Sequence, residues 1–328
     1  MKKHRILLWI FAALSAACPS NVAAQQGGKI PRIGFQLDSS AASIASRLDG
    51  FRQGLHELGY VEGKNILIEW RSGESNPERR RDIAAELVRL KPDLVVSAGP
   101  TITRALKDTT MTVPIVMAQD TDPVGSGFAA SLAKPGGNIT GLSALAPEMS
   151  GKQLALMKEI IPRLSRMAIL GNSSNPGDAQ ALREAVLAAG TFEMYLRYID
   201  ILNATDIDRA FEAAAKGRAD ALMVLGNPIL NINRKRIVDL AAKHRLPASY
   251  ARPEYVEAGG FMYYGTNYND LFRRAAYYVD KILKGAKPGD LPIEQPTKFE
   301  LLVNLSAAKQ IGVTIPPGVL AKADRVIK

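Results

Sequence analysis

The side chains of this chain best equipped to hold or transform a small molecule gather in six short segments. They are Gln36-Leu37-Asp38-Ser39-Ser40, Ser97-Ala98-Gly99-Pro100-Thr101, Gln119-Asp120-Thr121-Asp122, Asn172-Ser173-Ser174-Asn175, Gly226-Asn227-Pro228 and Tyr250. Each closes or follows a short run that reads as a strand, and in a parallel sheet the working groups collect beyond the carboxyl ends of the strands. Gln36, Ser39, Ser97, Gly99, Thr101, Gln119, Asp120, Asn172, Ser174, Asn175, Asn227 and Tyr250, with Tyr264 further on, are therefore the candidate ligand-binding residues. Across the six segments, hydroxyls, amides and three carboxylates suit fixing a small polar ligand by many hydrogen bonds. For an amino acid, Asp120 is placed to take the ammonium, and the free N–H groups of the helix starts near Gly99 and Ser174 to take the carboxylate. Pro100 removes one such donor. For any one of these positions, plain turn or capping duty is an equally good account.

Covalent chemistry has little to work with. Asp120 and Asp122 could form a general acid/base pair only beside a nucleophile or an activated water, and nothing nearby supplies one. Ser126, between Gly125 and Gly127, lacks the five-residue spacing of a nucleophile elbow, and His56 and His244 both fall in helix-like stretches. The histidines are His4, His56 and His244 and the cysteine is Cys18, too few for a Cys/His zinc site or a thiol nucleophile. No GxGxxG follows the first strand and no GxxxxGK[ST] occurs anywhere, which removes the usual support for a dinucleotide or ATP enzyme. Neither catalysis, a metal nor a cofactor is expected.

The elements that must position these residues alternate in period. Arg32-Ile33-Gly34-Phe35-Gln36-Leu37 reads as a strand; Ile44, Leu48, Phe51, Leu55 and Leu58 then recur at helical spacing, with Gly59 as the stop. Strand-like runs at 66–70, 94–97 and 113–117 follow with helices between them, the rhythm of a parallel sheet covered on both faces. Between Asp120 and Pro147 glycine and proline interrupt it. It restarts with strands at 166–170, 194–198, 221–225 and 247–250, so two successive α/β units of similar size are expected. An amphipathic helix with Leu271, Ala275, Tyr278 and Ile282 on one face comes later. Residues 144–147, 264–267 and 291–296 read as chain crossings between the units. The divisions are then a leader, 1–24; an N-terminal lobe, 30–145 plus 267–291; and a C-terminal lobe, 146–266 plus 292–328. Several crossings make a hinge with a defined closing axis. Tyr250, Tyr255, Tyr263 and Tyr264 concentrate aromatic surface in the second unit, and alternation turns Tyr263 and Tyr264 to opposite sides.

Length and composition agree with this picture. At roughly 150 residues per domain, 328 residues predict about two domains. With 47% hydrophobic and 23% charged residues the chain is globular, neither disordered nor polytopic. The start, Met1-Lys2-Lys3-His4-Arg5 followed by the apolar run 6–17 and Val22-Ala23-Ala24-Gln25, has the three parts of a secretory leader, with cleavage expected after Ala24. Acylation at Cys18, after Ser15-Ala16-Ala17, is the less favoured alternative. Loss of the leader lowers the formal charge of +10 by three bases. The remaining basic clusters, Arg79-Arg80-Arg81 and Arg234-Lys235-Arg236, read as solvated helix faces rather than a nucleic-acid surface.

Longer stretches resemble a known family. They include Gly50-Phe51-Arg52-Gln53-Gly54-Leu55-His56-Glu57-Leu58-Gly59-Tyr60-Val61-Glu62-Gly63, Leu132-Ala133-Lys134-Pro135-Gly136-Gly137-Asn138-Ile139-Thr140-Gly141-Leu142, Glu254-Tyr255-Val256-Glu257-Ala258-Gly259-Gly260 and Leu291-Pro292-Ile293-Glu294-Gln295-Pro296. They are similar to the periplasmic substrate-binding proteins of ABC transporters, of the uncharacterised or tryptophan/tyrosine-binding type, in order along essentially the whole mature chain. The resemblance implies a type I periplasmic binding fold: two doubly wound parallel-sheet lobes, joined by the multi-crossing hinge, that close over a small molecule. It implies a periplasmic monomer that delivers its ligand, an amino acid being one candidate, to an ABC permease and its ATPase. An exported sensor domain signalling to a receptor, and an α/β enzyme, are the alternatives. The chain departs from the commoner family pattern at Pro100, at Asn172-Ser173-Ser174-Asn175 and at Gly226-Asn227-Pro228, positions that bear on the ligand rather than the fold.

Overall fold

The computed structural model describes residues 29–38, 40–73, 76–144 and 148–328. The leader, Cys18 and Ser39 lie outside the described residues. β1 (Arg32–Leu37), α1 (Ala45–Glu57), β2 (Leu67–Ser72), α2 (Pro77–Arg89), β3 (Leu94–Ser97), α3 (Pro100–Thr109), β4 (Ile115–Met117) and β5 (Ile139–Gly141) build the first lobe. The second contains α4 (Met149–Ile160), β6 (Arg166–Gly171), α5 (Pro176–Thr191), β7 (Tyr195–Asp200), α6 (Asp206–Lys216), β8 (Ala221–Val224), α7 (Pro228–Ile232), α8 (Arg234–Lys243), β9 (Ala248–Tyr250), α9 (Pro253–Glu257) and β10 (Met262–Thr266). After α10 (Tyr268–Leu283) come β11 (Phe299–Asn304), α11 (Leu305–Ile311), α12 (Pro317–Leu320) and β12 (Arg325–Ile327).

The first sheet has the order β2-β1-β3-β4-β5, all parallel. The second repeats the plan as β7-β6-β8-β9-β10, then adds β11 antiparallel to β10 and β12 parallel to β11. Two doubly wound parallel-sheet lobes are thus as expected, and the reversed β11–β12 edge is an addition to that expectation. Mixed edges of this sort are common on otherwise parallel sheets. In both lobes the strand order reverses beside the first strand, at β1/β3 and β6/β8, the switch points where a crevice opens beyond the strand ends.

Alternation along the strands divides the core. Ile33, Phe35, Leu94 and Val96 face a central cluster that runs on into the second lobe through Tyr250, Tyr263 and Tyr268, whereas Val95 and Ile115 face α2 and α3. In the second lobe Ala168 and Leu170 turn to the central cluster, and Met167 and Ile169 to α4 and α5. The sequence misses β5, a three-residue strand inside the glycine-rich interruption. Its Gly141 lies so close to β4 that a Cβ there would stand 2.2 Å from the Met117 carbonyl oxygen.

The helix that leaves β10 does not stay with its lobe. α10 docks on α1 of the first lobe, burying Leu271, Ala275, Tyr278 and Ile282. The two helices meet backbone to backbone, since a Cβ on Gly54 would stand 2.3 Å from the Arg273 carbonyl oxygen and one on Gly50 2.6 Å from that of Asn269. Gly59, with φ +85°, ends α1: its N–H donates to the His56 carbonyl and that of Tyr60 to Leu55, so two terminal carbonyls are satisfied. Leu58, expected on the buried face, is exposed. The connecting segments are bonded to one another: Ser143 and Glu294 pair through the backbone, the Thr266 hydroxyl donates to the Ala144 carbonyl, and the Asn267 N–H to Lys298.

Candidate functional site

Where the two switch points face each other, a cleft with a cavity volume of about 400 Å³ opens between the lobes, inside the range of about 300–1,000 Å³ usual for small-molecule sites. Asp38, Arg47, Gly99, Thr101 and Gln119 line it from the first lobe, and Asn175, Pro228, Arg234, Arg252 and Glu254 from the second. Thr121, which also lines it, packs against Gly177 of the other lobe, its γ-methyl standing 3.1 Å from where a Gly177 Cβ would be.

Of the candidate residues read from sequence, the structure brings Gly99, Thr101, Gln119 and Asn175 to the cleft. Asp120 is not among them. It is fully buried next to Gln119, its Oδ2 accepting from the Thr103 hydroxyl at 3.2 Å. Burial pushes its pKa up to about 7, the Thr103 hydroxyl and the N–H groups of Thr121 and Asp122 pulling the other way. Neighbouring residues at this strand end point to opposite sides, so Gln119 meets the cleft and Asp120 the lobe interior. Asp122 serves its own loop, accepting from the Gly125 N–H at 2.8 Å.

The other candidates are also turned inward or away. Gln36 donates to the Arg80 carbonyl at 2.7 Å, and Ser97 lies 2.8 Å from the Thr103 hydroxyl. Buried Asp178 ties two strand-end loops together, accepting from the Asn172 N–H and the Asn227 side chain, each at 2.7 Å; burial raises its pKa to about 6 against those bonds. Ser174 is exposed, with its N–H on the Asn172 side chain. Tyr250 is buried, stacked on Tyr255 with ring centroids 4.7 Å apart. Tyr264 packs half-buried against the outer core of the second lobe, and Tyr263 is buried with its hydroxyl on the Thr266 carbonyl. No tyrosine of the Tyr263–Tyr264 pair lines the cleft.

The helix starts differ in what they leave free. At α5 the Asn175 side chain accepts from Gly177 and Asp178, so those amides are consumed as an ordinary cap. Gly99 at α3 has no side-chain cap, Pro100 lacks an N–H, and Thr101 lines the cleft.

Sequence reasoning missed the charged floor. The Arg47 side chain is buried, pairs with Glu254, and reaches Gln119 Oε1 with Nη1 at 3.2 Å; Arg252 Nη1 reaches the same oxygen at 2.9 Å. Both guanidiniums lie 4.4 Å from the Tyr268 ring centroid. Burial would raise the Glu254 pKa, but the charges of Arg47 and Arg252 outweigh it and hold the carboxyl below its usual value. One signal was available: Arg47 falls three residues after Ile44 and four before Phe51, a cation on the apolar stripe of α1. Another was Arg234, the first residue of α8, where a cation opposes the helix dipole. Lys235 and Arg236 pair with Asp239 and Asp208 outside, as the solvated-face reading expects, while Arg234 turns to the cleft. Among the described residues no cluster of His, Cys, Asp and Glu could hold a metal ion, and no helix is long and apolar enough to cross a membrane.

The family model described as "ABC transporter substrate binding protein" matches residues 38–327. Over 283 residues, 86% of this chain and 81% of the relative, the sequence is 24% identical to a protein of Clostridioides difficile (strain R20291) named "Tyrosine-binding protein". Among solved structures, a conserved domain protein of Vibrio cholerae is 29% identical with a TM-score of 0.84, covering 91% of this chain and 100% of that one. An ABC domain in complex with L-Trp from Streptococcus pneumoniae is 26% identical, TM-score 0.84, covering 90% and 99%. The architecture is the type I periplasmic binding fold.

Proposed function

Because the chain belongs to the ABC transporter substrate-binding protein family, we propose that it is the exported solute-binding component of an ABC importer. It captures a small polar, carboxylate-bearing solute of amino-acid size between its lobes and delivers the closed form to a membrane permease and that permease's ATPase. The observation that carries this is the cleft itself: polar and charged groups of both lobes converge on one cavity at the two switch points. A ligand shifts an open–closed equilibrium only by its differential affinity for the two states, and a solute touching Thr101 and Gln119 on one side and Asn175 and Arg252 on the other has that property. The names of the C. difficile and S. pneumoniae relatives make tyrosine, tryptophan and their derivatives the first solutes to test. Residues 1–24 act as the leader, cleaved after Ala24, with lipidation of Cys18 as the other route, and the mature protein works as a monomer without catalysing a reaction. Divisions at 145/146, 266/267 and 291/292 separate the lobes.

A thermal-shift screen of the purified protein against amino acids, 2-oxo acids, purines and sugars tests the reading. Ligand at a hundred times its Kd adds about 2.7 kcal/mol to stability, so a hit raises Tm clearly, and small-angle scattering of the hit complex shows compaction. A folded protein whose Tm no compound moves sinks the proposal.

A further inference from the structure

The charges lining the cleft do not balance. Arg47, Arg234 and Arg252 face it against Asp38 and Glu254. Asp38 is taken by Arg80, Nη2 to Oδ1 2.8 Å, and Glu254 by Arg47. Arg252 and Arg234 have no carboxylate within ion-pair distance among the described residues; Arg252 spends Nη1 on the Gln119 amide, and Arg234 donates to the Asn231 carbonyl at 3.3 Å. Arg47 is only 4% exposed, yet its Nε has no hydrogen-bond partner. That orphaned donor leaves Arg47 under-satisfied beside the cleft it lines.

Among the described residues the cleft lacks a free complementary group for an ammonium. Both cleft carboxylates already hold arginines, and Asp120 is buried outside the lining. An α-ammonium entering here would meet excess positive charge in a partly desolvated site, where like charges repel strongly. The rest of the wall, with Ile44, Pro100, Pro228 and Ile232, offers apolar surface for the body of the solute.

We propose that the cleft selects a net-anionic solute: a small carboxylic acid with an apolar or aromatic body and no α-ammonium, its carboxylate seated on the Arg47–Arg252 pair. This rests on the reading of the interlobe cleft as the ligand site and narrows what enters it. Two arginines held by one glutamine oxygen and one tyrosine ring present their remaining N–H donors in a fixed array, which suits a planar carboxylate.

Isothermal titration of the purified protein with head-group series tests this: 4-hydroxyphenylpyruvate, L-tyrosine and tyramine, then indole-3-pyruvate, L-tryptophan and tryptamine. The expected result is that a 2-oxo acid binds at least about tenfold tighter than its amino acid, a difference far outside titration error, and that neither amine binds. Arg252→Gln weakens the acid at least about tenfold, while Arg236→Gln, on the outer face of α8, leaves it unchanged. An amino acid binding as tightly as its oxo acid, or acid affinity untouched in Arg252→Gln, overturns the inference and leaves the cleft reading standing. No binding by any member of either series overturns the inference, and a null result across the wider panel of amino acids, 2-oxo acids, purines and sugars overturns the cleft reading as well. The head-group comparison on the unaltered protein decides the question even where the Arg252 variant does not fold.

Discussion

Arg47, on the first helix of one lobe, forms an ion pair with Glu254, 207 positions later on the other. The side chains are 5% and 14% exposed, so the pair is screened from salt and sits where the lobes approach. It makes the docking of the lobes depend on electrostatics as well as on the shared central core.

Removing one partner of such a pair leaves a buried charge uncompensated, which costs about 3–5 kcal/mol. Glu254→Gln is expected to lower unfolding stability by that amount in urea titration. Small-angle scattering of the same variant is expected to show a larger radius of gyration. An unchanged midpoint and an unchanged radius would show that the lobes are held by apolar contact alone.

Asp120 makes the fold sensitive to pH in a definite direction. Its carboxyl titrates near 7 when folded, against an ordinary value of 3.8, burial being the main cause. The folded chain therefore keeps a proton that the unfolded chain has released, and this contribution to stability falls as pH rises from about 4 to about 7. Asp178 and Glu300, raised to about 6 and about 7 mainly by burial, act in the same sense. Tm measured from pH 4.5 to 8 is expected to decline less steeply in Asp120→Asn than in the parent. Identical slopes would remove Asp120 from the account.

The α1–α10 contact depends on the absence of two side chains. Gly54→Ala places a Cβ 2.3 Å from the Arg273 carbonyl oxygen, and backbone cannot yield as a flexible side chain would. Despite alanine's better helix propensity, the variant is expected to lose about 1–3 kcal/mol, read as a lower Tm. A gain in stability would mean that the helices separate without cost.

Asn175 is a cap before it is anything else. Asn175→Ala frees the Gly177 and Asp178 amides and is expected to cost about 1 kcal/mol. Asn76→Ala, which frees Glu78 and Arg79 at α2 away from the cleft, provides the comparison. If Asn175→Ala costs nothing while Asn76→Ala does, the α5 amides have found another acceptor in the cleft.

The alternation of strand and helix was legible because hydrophobic period is a local property. Ile33, Phe35, Leu48, Phe51 and Leu55 sit in the core as their spacing demands. β5 was hidden because three residues ending in glycine carry no period. The β11–β12 edge was hidden as well, because strand direction is set by where the chain returns. The cleft region was also legible at segment level, since both switch points follow from the strand order and Gly99, Thr101, Gln119 and Asn175 reach the cavity.

Local pattern therefore suffices for two α/β units and for the strand ends at which a cleft opens, because backbone hydrogen bonding and the burial of one face per element leave few other solutions. Which polar side chains face that cleft depends instead on how the elements pack together. Asp120 and Gln119 are adjacent in the chain, yet one is buried and the other lines the cavity. Arg47, Arg252 and Glu254 become one charged floor through the docking of lobes whose contributing residues lie about two hundred positions apart. That floor sets the charge of what can bind, and it depends on distances that no local spacing encodes.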